Sequence, residues 1–226
     1  VQELTAALPF VKSVILNLNV RDDNVILGDK EQLLFGERAI TDSIHDLKFS
    51  ISSKSFYQVN PRQTEILYGK ALEFAQLTGK ETVLDLYCGV GTISMFLAQR
   101  AKHVSGIEIV SQAIRDARKN AALNGIANID FVCSDAAAYA KKLCEQGAHP
   151  DVIVVDPPRK GCDVQTIDSM VMMQPERIVY VSCDPGTLAR DLKLLEEKGY
   201  RTEIVQPVDM FPFTHHVESI ALLCRK

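Results

Sequence analysis

Thr82-Val-Leu-Asp-Leu-Tyr-Cys-Gly-Val-Gly-Thr-Ile-Ser-Met-Phe-Leu-Ala-Gln-Arg100 is the stretch that decides the fold. An apolar run of strand length ends in two glycines one residue apart, and a helical pattern opens at Thr92. Glycine at 89 and 91 lets the backbone turn tightly and approach a ligand. The same unit recurs downstream. Strands are expected at 103–109, 129–132, 151–155 and 177–181, with helices at 111–124, 136–146 and 187–198 between or after them. Ser111 reads as an N-cap and Gly125 as a stop for the second helix. Alternation of this kind predicts an α/β fold with a mostly parallel sheet. The last two strands, 201–208 and 217–223, have no helix between them, so the final strand is expected to run antiparallel.

Upstream the pattern differs. Residues 14–19, 32–35 and 47–51 read as short strands separated by turns such as Arg21-Asp-Asp-Asn24. They imply a small antiparallel, β-rich unit over residues 1–50, packed on a main domain of residues 51–226. A helix with Pro61 in its first turn, running to about Ala75, joins the two.

At 226 residues, with 46% hydrophobic and 24% charged side chains, the composition is that of an ordinary globular protein. No apolar run is long enough for a membrane helix. The chain starts at Val1 without an initiator Met or a secretion signal, and is expected to be a piece of a longer protein. None of the six cysteines is spaced as CxxC. That suits a reducing cytoplasm, argues against a metal or iron–sulfur site, and makes most of the cysteines small core residues. A net charge of −4 counts against a basic nucleic-acid grip within the chain itself.

The glycine turn has the makings of a cofactor cradle. The third glycine of a dinucleotide fingerprint is replaced by Ser94, which disfavours NAD or FAD. Glu108 ends the second strand of the main domain, where a carboxylate can accept from both hydroxyls of a ribose. Asp135 either faces an adenine or caps the next helix. Together these features resemble a class I S-adenosylmethionine-dependent methyltransferase. The resemblance implies a Rossmann-like fold with a seven-stranded sheet.

Three further segments bring reactive groups to the same rim. Asp156-Pro-Pro-Arg-Lys-Gly161 follows the fourth strand, and its prolines stiffen the loop that aims Asp156. Val179-Tyr-Val-Ser-Cys-Asp-Pro185 sets Cys183 where a strand gives way to a loop. Because the final strand is antiparallel, its beginning, with His215, His216 and Glu218, belongs to this rim as well. A thiol and a carboxylate beside a methyl donor suit one reaction. C5 of uracil is a weak nucleophile until a thiolate adds at C6, and a base must then remove the C5 proton. Cys183 fits the first role and Glu218 the second. Asp156 can orient the ring. Phe211, Phe213 and Tyr57 are candidates for stacking on bases, with core packing as the plainer alternative.

At these residues the chain resembles the RNA uracil-C5 methyltransferases. The matching runs are Phe56-Tyr-Gln-Val-Asn60, Asp85-Leu-Tyr-Cys-Gly-Val-Gly91, Asp156-Pro-Pro-Arg-Lys-Gly161, Ser182-Cys-Asp-Pro185, Thr187-Leu-Ala-Arg-Asp191 and the stretch Met210-Phe-Pro to His216-Val-Glu218. The resemblance implies Cys183 as nucleophile and Glu218 as proton acceptor. It implies S-adenosylmethionine held by Gln58, Tyr87, Glu108 and Asp156, with Gly89 in the turn. It implies an RNA substrate, ribosomal RNA ahead of transfer RNA, whose target base swings out of its loop. It also implies an N-terminal RNA-binding module outside this chain. Asp184 departs from the Asn that many members carry after the cysteine. Its charge either raises the thiol pKa or caps the loop.

Other readings explain less. A cysteine hydrolase built on Cys183, His216 and Glu218 leaves the glycine turn and Glu108 without a role. A cofactor-fold module that only binds RNA leaves Cys183 and Glu218 without one. A metal held by His215 and His216 is disfavoured, since adjacent residues of a strand point apart.

Overall fold

From Thr82 onward strands and helices alternate in the computed structural model, which describes residues 1–22, 26–28 and 30–226. The order is β5 (Thr82–Leu86), α3 (Thr92–Ala98), β6 (His103–Glu108), α4 (Ser111–Leu123), β7 (Ile129–Cys133), α5 (Ala136–Glu145), β8 (Val152–Val155), α6 (Val164–Met172), β9 (Arg177–Ser182), α7 (Pro185–Glu197), β10 (Tyr200–Val208) and β11 (Glu218–Arg225). Before them stand α1 (Gln2–Ala7), β1 (Ser13–Leu18), β2 (Lys30–Gly36), β3 (Ala39–Ile44), β4 (Leu47–Ser52) and α2 (Pro61–Ala75).

Seven strands form one sheet in the order β10-β11-β9-β8-β5-β6-β7. β5, β6, β7, β8 and β9 pair in parallel, and β11 runs antiparallel between β9 and β10. Strand order reverses at the β5–β8 pair, so a crevice opens beyond the carboxyl ends of those two strands. Alternation along each strand feeds two cores. Val83, Val104, Val152, Val154 and Val179 pack under α2, α3 and α4. Leu84, Leu86, Ile107, Ile153 and Val155 pack under α5, α6 and α7. Each such side chain contributes roughly 1.5–3 kcal/mol on burial, which is why the centre of the sheet is rigid where the site stands on it.

Gly91 permits the tight join between β5 and α3. It lies in the left-handed region at φ 80°, and a Cβ there would stand 2.7 Å from the ring of Phe131. Pro61 occupies the first turn of α2, and Asn60 caps that helix by accepting from the Gln63 N–H at 3.3 Å. Gly125, at φ 65°, follows the end of α4 as expected.

In the N-terminal region the described residues form two antiparallel pairs, β1–β2 and β3–β4. The strand β3 was not anticipated, because Thr41, Asp42 and Ser43 give it no apolar alternation. Of the expected turn at 21–24, residues Asp23 and Asn24 lie outside the described residues. β4 docks on α4 through side chains one helical turn apart. Asn124 accepts from the Lys48 N–H at 2.8 Å and donates to its carbonyl at 2.7 Å. Asn120 accepts from the Ser50 N–H at 2.8 Å, and Asp116 accepts from the Ser52 hydroxyl at 3.0 Å. Four helical residues rise about 6 Å and two strand residues about 6.6 Å, so the two repeats stay in step.

α6 lies between β8 and β9, a stretch for which the sequence pattern suggests no element, and is announced only by Asp163, which caps it by accepting from the Thr166 N–H at 2.7 Å. Two other expectations need correction. Ser111 does not cap α4. The cap position is Val110, whose N–H donates to Glu108 Oε1 at 2.8 Å. Only Cys88 and Cys162 of the six free cysteines are buried, and Cys133 is exposed.

Candidate active site

A hollow of about 500 Å³ opens beyond the ends of β5 and β8. Gln58, Tyr87, Gly89, Glu108, Asp156, Cys183 and Glu218 all line it, whereas Tyr57, Phe211, Phe213, His215 and His216 do not. Five elements deliver them. β5 runs into Tyr87 and Gly89, β6 ends in Glu108, and β8 runs into Asp156. β9 runs into Cys183, and β11 begins at Glu218. Gln58, buried, comes from the segment between β4 and α2.

Tyr87 is held in the left-handed region at φ 68°. For a bulky residue that costs on the order of 1–3 kcal/mol, a strain typical of functional sites. Gly89 follows at φ 56°, and nothing lies within 4 Å of the place a Cβ would occupy, so bare backbone faces the hollow. Its N–H donates to Glu108 Oε2 at 3.2 Å. With the Val110 N–H on the other oxygen, the Glu108 carboxylate is locked in position and keeps lone pairs free for a ligand.

Several lining residues were not singled out from the sequence. Asp85 is buried, takes a hydrogen bond from the Ser94 hydroxyl on Oδ2, and leaves Oδ1 without a partner. Burial raises its pKa to about 7 despite the Ser94 bond. An in-strand carboxylate gives no sign in the sequence of facing a cavity. Phe56, Thr92, Lys160 and Asp163 also line the hollow. Asp135 lines it too, and caps α5 by accepting from the Ala138 N–H at 3.0 Å, as its capping reading expected.

The reactive end is electrostatically tense. Burial, and then Glu218 and Asp85, push the Asp156 pKa up to about 7. Burial raises Glu218, with Arg159 pulling it back. Burial, Glu218 and Asp156 raise the Cys183 thiol, and Arg159 opposes them. Asp184 takes no part in this. Its carboxylate accepts from the Gly186 and Thr187 N–H groups, both at 2.9 Å, and so caps α7. Those bonds, that to Thr187 first, keep Asp184 below the usual carboxylate range. His215 and His216 lie in a loop before β11, not on a strand, with ring centroids 4.0 Å apart. His216 directs Nδ1 to the Arg159 guanidinium at 3.1 Å, and no hydrogen bond joins it to Cys183 among the described residues.

The hollow suits a nucleoside-bearing ligand. Its volume is that of a small-molecule site, the Glu108 carboxylate can accept from a ribose, and Asp85 offers an unpaired acceptor. The profile of the family described as tRNA (uracil-5-)-methyltransferase matches residues 21–226. The chain belongs to that family. An uncharacterized RNA methyltransferase of Halalkalibacterium halodurans is 58% identical over 99% of the chain and 49% of its own length. One from Oceanobacillus iheyensis is 56% identical over all of the chain and 49% of its own length. The chain thus spans about half the length of the curated relatives it matches. Among solved structures, the Pyrococcus abyssi tRNA (uracil-54, C5)-methyltransferase in complex with S-adenosyl-L-homocysteine is 33% identical, with a TM-score of 0.80. The match covers 94% of this chain and 50% of that one. A methyltransferase of Agrobacterium tumefaciens at 17% identity and TM-score 0.65, matched over 87% of this chain and 74% of that one, shares the fold. The tRNA (uracil-5-)-methyltransferase family uses S-adenosylmethionine, and its Rossmann-like sheet is the one seen here.

Proposed function

We propose that the protein transfers a methyl group to C5 of a uridine in ribosomal or transfer RNA, giving 5-methyluridine. The observation that carries this reading is the meeting of Cys183 and Glu218 in the hollow that also holds Gly89 and Glu108. S-adenosylmethionine, when bound, would supply an electrophilic methyl group, its sulfur keeping the electron pair of the S–C bond that breaks. Glu108 is assigned to the ribose hydroxyls, Gly89 to close backbone approach, and Gln58, Tyr87 and Asp156 to the rest of the donor's surface.

The Cys183 thiolate adds to C6, and the C5–C6 π pair moves toward C5 and O4. C5 is then nucleophilic and takes the methyl group. The Glu218 carboxylate removes the C5 proton, the C5–C6 double bond re-forms, and the thiolate is expelled. A carboxylate whose pKa lies above the usual range, as burial makes that of Glu218, is the stronger base for this step. Asp156 is also assigned to orienting the ring. The raised thiol pKa means that attack follows deprotonation of a resting thiol, with Arg159 as the nearby cation that favours the thiolate.

Residues 51–226 are assigned the reaction, and residues 1–50 the join to an RNA-binding module in the longer protein. The free cysteines support a cytoplasmic setting. The test is to map 5-methyluridine in total RNA from cells with and without the full-length protein. Loss of one or more 5-methyluridines in ribosomal or transfer RNA is expected. An unchanged map would overturn the reading.

A further inference from the structure

The three aromatic candidates for base stacking part company in the structure. Tyr57 packs against Phe49 at a ring separation of 6.1 Å, and burial raises its pKa to about 12. Phe211 packs against the core. Phe213 is fully exposed, at 108% of its reference area.

Its loop is not loose. The Met210 carbonyl accepts from Asn60 Nδ2 at 3.2 Å, beside the segment that carries Gln58. The Phe211 carbonyl accepts from the Thr214 N–H at 3.2 Å and from the Thr214 hydroxyl at 2.8 Å. The Thr214 hydroxyl oxygen accepts in turn from the His216 N–H at 3.2 Å. His216 meets Arg159, the residue before the lining residue Lys160. The loop is therefore pinned both to the segment before α2 and to the loop after β8, and its tip holds Phe213 outward at φ 67°. A bulky residue with positive φ costs free energy, and full exposure returns none of it through burial. Its exposed neighbours are Pro212, Thr214 and His215, with Arg159 and Lys160 exposed nearby. That setting of cations and ring faces suits a nucleobase and its phosphates better than an apolar protein surface.

We infer that Phe213 is an RNA-contact residue, which stacks on an unpaired base flanking the target uridine and so selects substrates in which that base is single-stranded. The inference rests on the function proposed above. The target base goes down to Cys183 and Glu218, while Phe213, standing wholly outside the hollow, meets a neighbour that stays at the mouth.

Two measurements test it. The chain has no tryptophan, so Phe213→Trp places a lone reporter at the tip. Adding single-stranded oligouridine of about ten nucleotides should quench its emission saturably, while Phe211→Trp stays unquenched. Separately, methyl transfer in the full-length protein is measured against total RNA from cells lacking it. Phe213→Ala should raise the half-saturating RNA concentration about 5- to 100-fold, as loss of one stack implies. The half-saturating S-adenosylmethionine concentration should not move, and Phe213→Tyr should restore most of the loss. Equal RNA dependence of Phe213→Ala and the wild type overturns the inference while leaving the function standing. If the wild type methylates no uridine, the function fails and the fluorescence result alone decides: an unquenched Phe213→Trp overturns the contact.

Discussion

Asn124 binds both backbone groups of Lys48, taking its N–H at 2.8 Å and giving to its carbonyl at 2.7 Å. One side chain thus does the work of a neighbouring strand, and with Asn120 and Asp116 it fixes β4 along α4. Removing it frees an N–H and a carbonyl on a two-stranded sheet. Asn124→Ala is expected to lower unfolding stability by about 1–2 kcal/mol. Urea denaturation with an unchanged slope checks this, and stability equal to wild type would show that water replaces the pairing in full.

Asp191 is wholly buried and accepts from the Tyr180 hydroxyl at 2.6 Å, the Cys162 N–H at 2.8 Å and Arg190 Nε at 2.7 Å. Arg190 continues to the Lys160 carbonyl at 2.8 Å, so the network ties the loop after Asp156 to the helix after Cys183. Asp191→Ala strands the buried Tyr180 hydroxyl and leaves the Cys162 N–H only its longer bond to the Tyr180 oxygen at 3.2 Å. Arg190 stays half exposed, so a loss of about 1–3 kcal/mol is expected. A calorimetric scan showing little change in Tm would mean that the loop is held by other contacts.

Cys183→Ala removes only the sulfur. Methyl transfer to uridine is expected to vanish while S-adenosylmethionine binds as before, since Glu108 and Gly89 lie on other strands. Calorimetric titration and a methyl-transfer assay together check it. Methylation persisting in this variant would sink the thiol mechanism.

Glu218→Gln keeps the shape and removes the base. C6 addition and methyl transfer should proceed, but the thiol cannot leave. A covalent protein–RNA complex that survives denaturing electrophoresis is expected. Full turnover by this variant would remove Glu218 from the elimination step.

Asp156 gives a stability signature with a definite sign. Its carboxyl holds its proton to about pH 7 in the folded protein, chiefly because of burial, whereas in an unfolded chain the ordinary value is 3.8. The folded state therefore binds the extra proton between these values, and stability contributed by the neutral form is lost as pH rises from about 4 to 7. Asp156→Asn should leave Tm nearly unchanged at pH 4 and raise it above wild type at pH 8. An equal shift at both values would mean that charge is not the cause.

The sequence revealed what depends on pattern. The run 82–100 and its successors showed the sheet because buried parallel strands are mostly apolar and their helices are amphipathic. The antiparallel β11 followed from the missing helix, and that single step carried Glu218 to the rim with Cys183. What stayed hidden depends on contacts. β3 is polar through its middle, at Thr41, Asp42 and Ser43. α6 follows two prolines and a glycine that read as loop. Asp85 is a polar residue inside a strand. Gln58 lies on a segment with no periodicity, so its position was implied by resemblance to a family and not by spacing. The exposed ring of Phe213 and the packed rings of Tyr57 and Phe211 are indistinguishable as letters.

The reversal of β11 has a practical outcome. That strand begins at the hollow with Glu218 and runs antiparallel along β9, so Lys226 emerges at the opposite end of the strands. There its N–H is held by the Gly199 carbonyl at 2.9 Å. A fluorophore or a surface linkage attached at Lys226 would leave the hollow facing open solution, which makes that residue the natural handle for immobilising the protein.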